Sequence, residues 1–189
     1  MIQLLGSEGL WQEALKTYSD LKVYGLWPDV YTFSKLITAC GTSRRCEDAL
    51  KVFKAMEEAN VTPNVITYST LISTFEKGGQ WEEALKVLDA MKEANVTPNV
   101  ITYNSLISAC GKGGQLEEAL KVLEAMEEAK VTPNTVTYNA LISACGKGAK
   151  WKEALKVLDA MKEANVTPNV ITYTALITHV ERESSWRKP

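Results

Sequence analysis

Apolar residues along this chain recur at helical spacing, and the pattern restarts at a fixed interval. Tyr103, Leu106, Ile107 and Cys110 stand at i, i+3, i+4 and i+7, which is one face of a helix. Gly113 and Gly114 follow and predict its end, because glycine tolerates the left-handed C-cap conformation. Leu116, Ala119, Leu120, Leu123 and Met126 form a second stripe, predicting a second helix that stops near Lys130, ahead of Pro133. Two amphipathic helices and two short turns thus make one unit.

The unit repeats. Glu83 to Tyr103 recurs letter for letter as Glu153 to Tyr173, 70 residues on, and the half-step of 35 gives the near-identical Glu118 to Tyr138. Four full units follow from this period: residues 30–64, 65–99, 100–134 and 135–169. A partial unit (1–29) precedes them, and residues 170–189 form a last helix, expected to end near Val180, with a polar tail. One helix pair cannot bury its apolar faces alone, whereas stacking on both neighbours does. The expected fold is all-α, a right-handed superhelical α-solenoid of helix-turn-helix repeats, stable roughly as a sum of nearest-neighbour interfaces. The first helix of the partial unit starts inside its pattern, and nothing after the last helix would cover Tyr173, Leu176 and Ile177. The expectation is a segment of a longer array, able to self-associate through uncovered terminal helices. The near-identity of the units fits recent duplication and consensus engineering equally well.

Composition narrows the classes. A charged fraction of 23% is that of a soluble protein, and no apolar run is long enough for a membrane span. Neither a secretory leader nor an Arg-rich transit peptide is visible at Met1–Gly6. Cys40, Cys110 and Cys145 recur in register inside apolar runs and read as reduced core thiols; with Cys46 they lack zinc-ligand spacing. There is no Gly-rich phosphate loop, no Ser/His/Asp set and no H-x-E with C-x-x-C, and His179 stands alone. Hence no catalytic residue, metal site or cofactor is expected, and the chain reads as a binding module rather than an enzyme.

The order Val100-Ile101-Thr102-Tyr103-Asn104-Ser105-Leu106-Ile107, Gly113-Gly114, Glu118-Ala119-Leu120, Met126, Pro133-Asn134 resembles the P-type pentatricopeptide repeat, over about nine-tenths of the chain. The tetratricopeptide repeat, with period 34, has a different Trp and Leu-Gly signature. The resemblance implies binding of single-stranded RNA at one base per repeat. In that family the fifth and the closing residue of each unit face the base, and the second wedges between bases. By position the fifth residues are Ser34, Ser69, Asn104, Asn139 and Thr174, and the closing ones Asn64, Asn99, Asn134 and Asn169, with Asp29 closing the partial unit. The wedges are Tyr31, which departs from the usual branched aliphatic, and Ile66, Ile101, Val136 and Ile171. The family's pairing habits imply adenine for Ser with Asn and cytosine, then uracil, for Asn with Asn. The four units would read AACC, or AA-pyrimidine-pyrimidine. The resemblance also implies a mitochondrion or chloroplast and a part in organellar RNA processing or stabilisation.

The net charge of -2 gives no general pull toward nucleic acid. The acid, however, is placed on the second helices: Glu117, Glu118, Glu124, Glu127 and Glu128 in the third unit. The first helices carry Lys77, Lys112 and Lys147, 35 residues apart, as candidates for successive phosphates. Each assignment has a plainer counterpart. The closing asparagines precede helices and are good N-caps; the lysines suit helix C-termini; the wedge positions could be core. The rival function is a helical scaffold for a peptide or protein partner.

Overall fold

The computed structural model describes residues 11–147 and 150–186. It contains α1 (Trp11–Val23), α2 (Val30–Thr42), α3 (Cys46–Glu58), α4 (Val65–Gly78), α5 (Trp81–Glu93), α6 (Val100–Lys112), α7 (Leu116–Glu128), α8 (Thr135–Lys147), α9 (Trp151–Glu163) and α10 (Val170–Trp186). The fold is all-α, a helical solenoid in class, and no strand occurs among the described residues. The chain divides into two compact units, residues 1–98 and 99–189.

In the first unit α2 packs on α4, and α3 lies against both; in the second, α6 packs on α8 and α8 on α10, with α7 and α9 behind them. Within each unit, first helices therefore pack side by side with second helices behind them. The first-helix layer is tight because small residues face each other. A Cβ on Gly111 would stand 2.9 Å from Ala144 Cβ.

The core of the second unit repeats by position. Tyr103, Leu106, Ile107 and Cys110 on α6 are buried, as are Tyr138, Leu141, Ile142 and Cys145 on α8. The second-helix stripe differs from expectation. On α7 the buried residues are Leu116, Ala119, Val122 and Met126, while Leu120 and Leu123 are only half-buried. The reason is that α7 touches both α6 and α8, so its contact face is centred on Val122, between the two partners. Leu120 and Leu123 line an apolar cleft of about 340 Å³ with Tyr138, Leu141, Val157 and Ala160. The last helix also differs: it runs six residues past Val180, to Trp186, through a segment without glycine or proline to stop it.

Second helices end in a left-handed residue at Asn60, Asn95, Lys130 and Asn165, with φ of 55 to 57°. The amide of the following residue bonds back to the buried methionine, as in Val131 N to Met126 O at 3.0 Å, which closes a Schellman turn. Asparagine tolerates this conformation better than lysine does, so Lys130 is the strained member of the set.

All four cysteines are free and buried. Burial pushes the Cys40, Cys110 and Cys145 thiols up to about 11, and Cys46 up as well. The folded pKa thus exceeds the ordinary value of 9.0. The thiols' contribution to stability is fully present below that value and is lost as pH rises toward the folded one. Urea midpoints followed by circular dichroism are expected to hold level up to about pH 9 and to fall between about 9 and 11. Iodoacetamide at pH 8 is expected to label these thiols only after unfolding, because the thiolate is the reactive form.

Candidate nucleic-acid interface

Every first helix begins the same way. The closing asparagine of one repeat has extended backbone, φ -117° at Asn64 and -113° at Asn99, and caps the helix of the next. Asn134 Oδ1 accepts from Val136 N at 3.0 Å and Thr137 N at 3.1 Å. Threonine answers at the third helical position, its Oγ1 accepting from Asn134 N at 3.0 Å. The same capping box forms at Asn64 with Thr67 and at Asn99 with Thr102. Asp29 plays this part for α2, accepting from Thr32 N and Oγ1 at 2.8 and 2.7 Å. These bonds, the Thr32 hydroxyl first, hold its carboxyl below the usual carboxylate range.

With the cap set, the second residue of each first helix faces outward. Tyr31, Ile66, Ile101, Val136 and Ile171 are 54 to 65% exposed, although Leu36, Leu71, Leu106 and Leu141 on α2, α4, α6 and α8 are buried in the core. The cap explains why: the third residue turns inward to bond it, so the second must point away. Thr67, Thr102, Thr137 and Thr172 are fully buried. Lys35 extends back over the Tyr31 ring, 5.1 Å from its centroid.

The fifth residues meet the next repeat. Asn104 Nδ2 donates to Asn134 Oδ1 at 3.4 Å, and Asn139 Nδ2 to Asn169 Oδ1 at 3.3 Å. The fifth and closing residues, 30 apart in sequence, are therefore adjacent in space in both repeats. A third partner joins each pair: Thr137 Oγ1 donates to Asn104 Oδ1, and Thr172 Oγ1 to Asn139 Oδ1, both at 2.6 Å. Sequence reasoning missed these threonines. Their signal was a β-branched hydroxyl recurring at 67, 102, 137 and 172 in otherwise apolar company. Serine behaves differently: Ser34 Oγ lies 2.9 Å from Val30 O and 3.1 Å from Thr67 Oγ1, nearly buried and directed to the threonine. Ser69 is likewise nearly buried. Thr174 is exposed.

Lys77 and Lys112 are exposed in the last turns of α4 and α6. They stand 11 residues after Ile66 and Ile101, roughly 16 Å along the helix axis at 1.5 Å per residue. Lys147 ends α8, and its side chain, like that of His179, lies outside the described residues. The ion pairs gather on second helices, as in Lys121 with Glu118 at 2.8 Å and Lys86 with Glu83 at 2.7 Å. No cluster that could hold a metal ion occurs among the described residues, and no described helix is long and apolar enough to cross a membrane.

Residues 70–112, 98–147 and 133–180 match the PPR repeat family, residues 16–79 the pentatricopeptide repeat domain and residues 1–26 the PPR repeat. The chain belongs to the pentatricopeptide repeat family. Among solved structures this PPR chain is similar to the pentatricopeptide repeat protein PPR10 in complex with an 18-nt psaJ RNA element. The TM-score is 0.80 at 28% identity, over 97% of this chain and 28% of that one. It is also similar to PPR10 from maize, with a TM-score of 0.72 at 30% identity over 100% of this chain and 28% of that one. The PPR domain of Arabidopsis thaliana protein-only RNase P 1, solved in complex with tRNA, shares 18% identity and a TM-score of 0.78 over 95% of both chains. At that identity the likeness speaks for the fold alone. The chain spans 28% of the PPR10 chain it matches. No curated protein matches it.

Proposed function

We propose that this chain binds single-stranded RNA at one base per repeat, without catalysing a reaction on it. The observation that carries the reading is the helix start. An exposed apolar side chain stands at the second position of each first helix, and in the second unit the polar fifth and closing residues of the same repeat join beside it. Apolar side chains there can pack on base faces, and aromatic stacking of this kind contributes ~1–3 kcal/mol per base. Amides and hydroxyls beside them can match base edges. PPR10, similar over 97% of this chain, is solved with an RNA element, which supports the same ligand class here.

In this reading Ser34 with Asn64 and Ser69 with Asn99 take adenine. Asn104 with Asn134 and Asn139 with Asn169 take cytosine or uracil, so the strand is AACC or AA-pyrimidine-pyrimidine. Thr174 stands at a further base, and Tyr31, Ile66, Ile101, Val136 and Ile171 separate successive bases. Lys77, Lys112 and Lys147 meet phosphates; three contacts imply a log-log salt slope of about -2, from ~0.7 per contact on single strands. Affinity then rests mainly on base contacts. The biological setting is organellar RNA processing or stabilisation in a mitochondrion or chloroplast, by covering a stretch of transcript. Tyr173 and Ile177, 50 and 57% exposed on α10 where Tyr103 is 1% exposed on α6, provide a face for self-association.

A second reading, a scaffold for a peptide or helix, draws on the apolar cleft between α7, α8 and α9. Fluorescence anisotropy at ~50 mM salt separates the two. RNA carrying AACC is expected to bind more tightly than RNA carrying GGUU and than the DNA version of AACC. Equal binding of all three, or none, would discard the RNA code and favour the scaffold.

A further inference from the structure

We infer that the buried threonine opening each following repeat, Thr137 for Asn104 and Thr172 for Asn139, is a specificity-determining positioning residue. Its hydroxyl sets which end of the asparagine amide faces the base. The inference rests on the RNA-reading function proposed above and deepens it by giving the base-reading face a hydrogen-bonding sign.

The donors and acceptors of the triad fix the orientation of its amides. A threonine hydroxyl has one proton to donate and two lone pairs, and an asparagine amide has a carbonyl oxygen that accepts and an NH₂ that donates. Asn134 cannot turn, because its Oδ1 accepts from the backbone amides of Val136 and Thr137. That oxygen in turn fixes the near side of Asn104, whose Nδ2 points to it at 3.4 Å. The Thr137 hydroxyl could give its proton to Asn134 Oδ1 at 3.2 Å or to Asn104 Oδ1 at 2.6 Å, and the shorter contact takes it. Thr137 Oγ1 is simultaneously oriented by accepting from Asn134 N at 3.0 Å. If the Asn104 amide were flipped, two carbonyl oxygens, Asn104 Oδ1 and Asn134 Oδ1, would face each other with no proton between them. The triad thus engages both carbonyl oxygens and leaves the free amide protons of Asn104 and Asn134 for a ligand. Asn139, Asn169 and Thr172 repeat the arrangement, with contacts of 3.3, 2.6, 3.2 and 3.1 Å in the corresponding places.

A face that offers only donors selects the base edge that offers acceptors. Cytosine presents O2 and N3 side by side, and uracil presents two carbonyl oxygens. Guanine opposes such a face with N1–H and its exocyclic amine. The Watson–Crick edges of splayed single-stranded bases are where such reading occurs. The threonine, buried and out of reach of the base, sets this preference through the asparagine.

The test uses the full chain and short RNAs that vary only the third or only the fourth base of AACC. Wild type is expected to favour C over G at the third base by roughly tenfold or more, the scale of one good base-edge pair. Thr137→Val keeps the branched shape but removes the proton, leaving the 3.4 Å contact alone to hold the amide. It is expected to bring the third-base ratio to within ~threefold while leaving the fourth-base ratio unchanged. Thr172→Val is expected to do the reverse, and Thr137→Ser to restore the wild-type ratio. A Thr137→Val protein that keeps its full third-base ratio overturns the inference and leaves the RNA reading standing. So does equal weakening at both bases without rescue by serine, which would mark a structural role only. A wild-type chain with no base preference overturns the RNA reading and the inference together.

Discussion

Replacing Asn104 and Asn139 together by serine is expected to move the preferred RNA from AACC to AAAA. Ser34 shows what serine does at this position: its hydroxyl stays within 3.1 Å of the Thr67 hydroxyl and is nearly buried, so it projects no amide toward a ligand. Serine at 104 and 139 would withdraw two NH₂ donors and leave room for a larger purine beside Asn134 and Asn169. A matched base edge is worth about 1–3 kcal/mol of discrimination, so two positions should shift the AACC-to-AAAA ratio by roughly a hundredfold or more. Asn104 and Asn139 are half-buried and lie outside the apolar core, so the melting temperature should change little. Competition anisotropy between the two strands reads the ratio. An unchanged preference would place the base contacts elsewhere on the chain.

The largest effect on stability is expected from Leu106→Ala. Leu106 is fully buried on α6, whose apolar face packs on α7 and α8. Truncating such a leucine leaves a cavity in a close-packed interior and costs about 2–5 kcal/mol. In a repeat protein each interface couples only near neighbours, so no distant contact offsets the loss. For a chain of this length the melting temperature should fall by roughly 5 °C or more. Leu155→Ala is the matched control: the same residue type within a helix, but 41% exposed on α9, with an expected cost of about 1 kcal/mol or less. Urea unfolding monitored by circular dichroism compares them, and equal losses would contradict the packing described here.

Much of the architecture is written locally. The 3.6-residue stripe of Tyr103, Leu106, Ile107 and Cys110, the glycine pair before α7 and the Pro-Asn before α8 each act through bonds within a few residues. The helix pairs and the closing asparagines as N-caps were therefore legible from the chain alone. The apolar stripe of α7 was legible only in part. Val122 proved central and Leu120 peripheral because two first helices share its contact face, which no single-helix pattern contains.

The candidate site divides along the same line. Polarity and period at positions 34, 69, 104 and 139 and at the closing residues are properties of the sequence, and so is the recurrence of an aliphatic or aromatic residue at the second position. Whether those second residues were core or surface could not be read from hydrophobicity, since Ile101 and Ile107 are the same residue on the same helix. The capping geometry decided it, turning Thr102 inward and Ile101 out. Likewise the residue types alone determined that Asn104 could donate or accept. Which of the two it presents depends on Thr137, 33 residues away and 2.6 Å distant, because an amide's orientation is set by the partners that tertiary stacking brings to it.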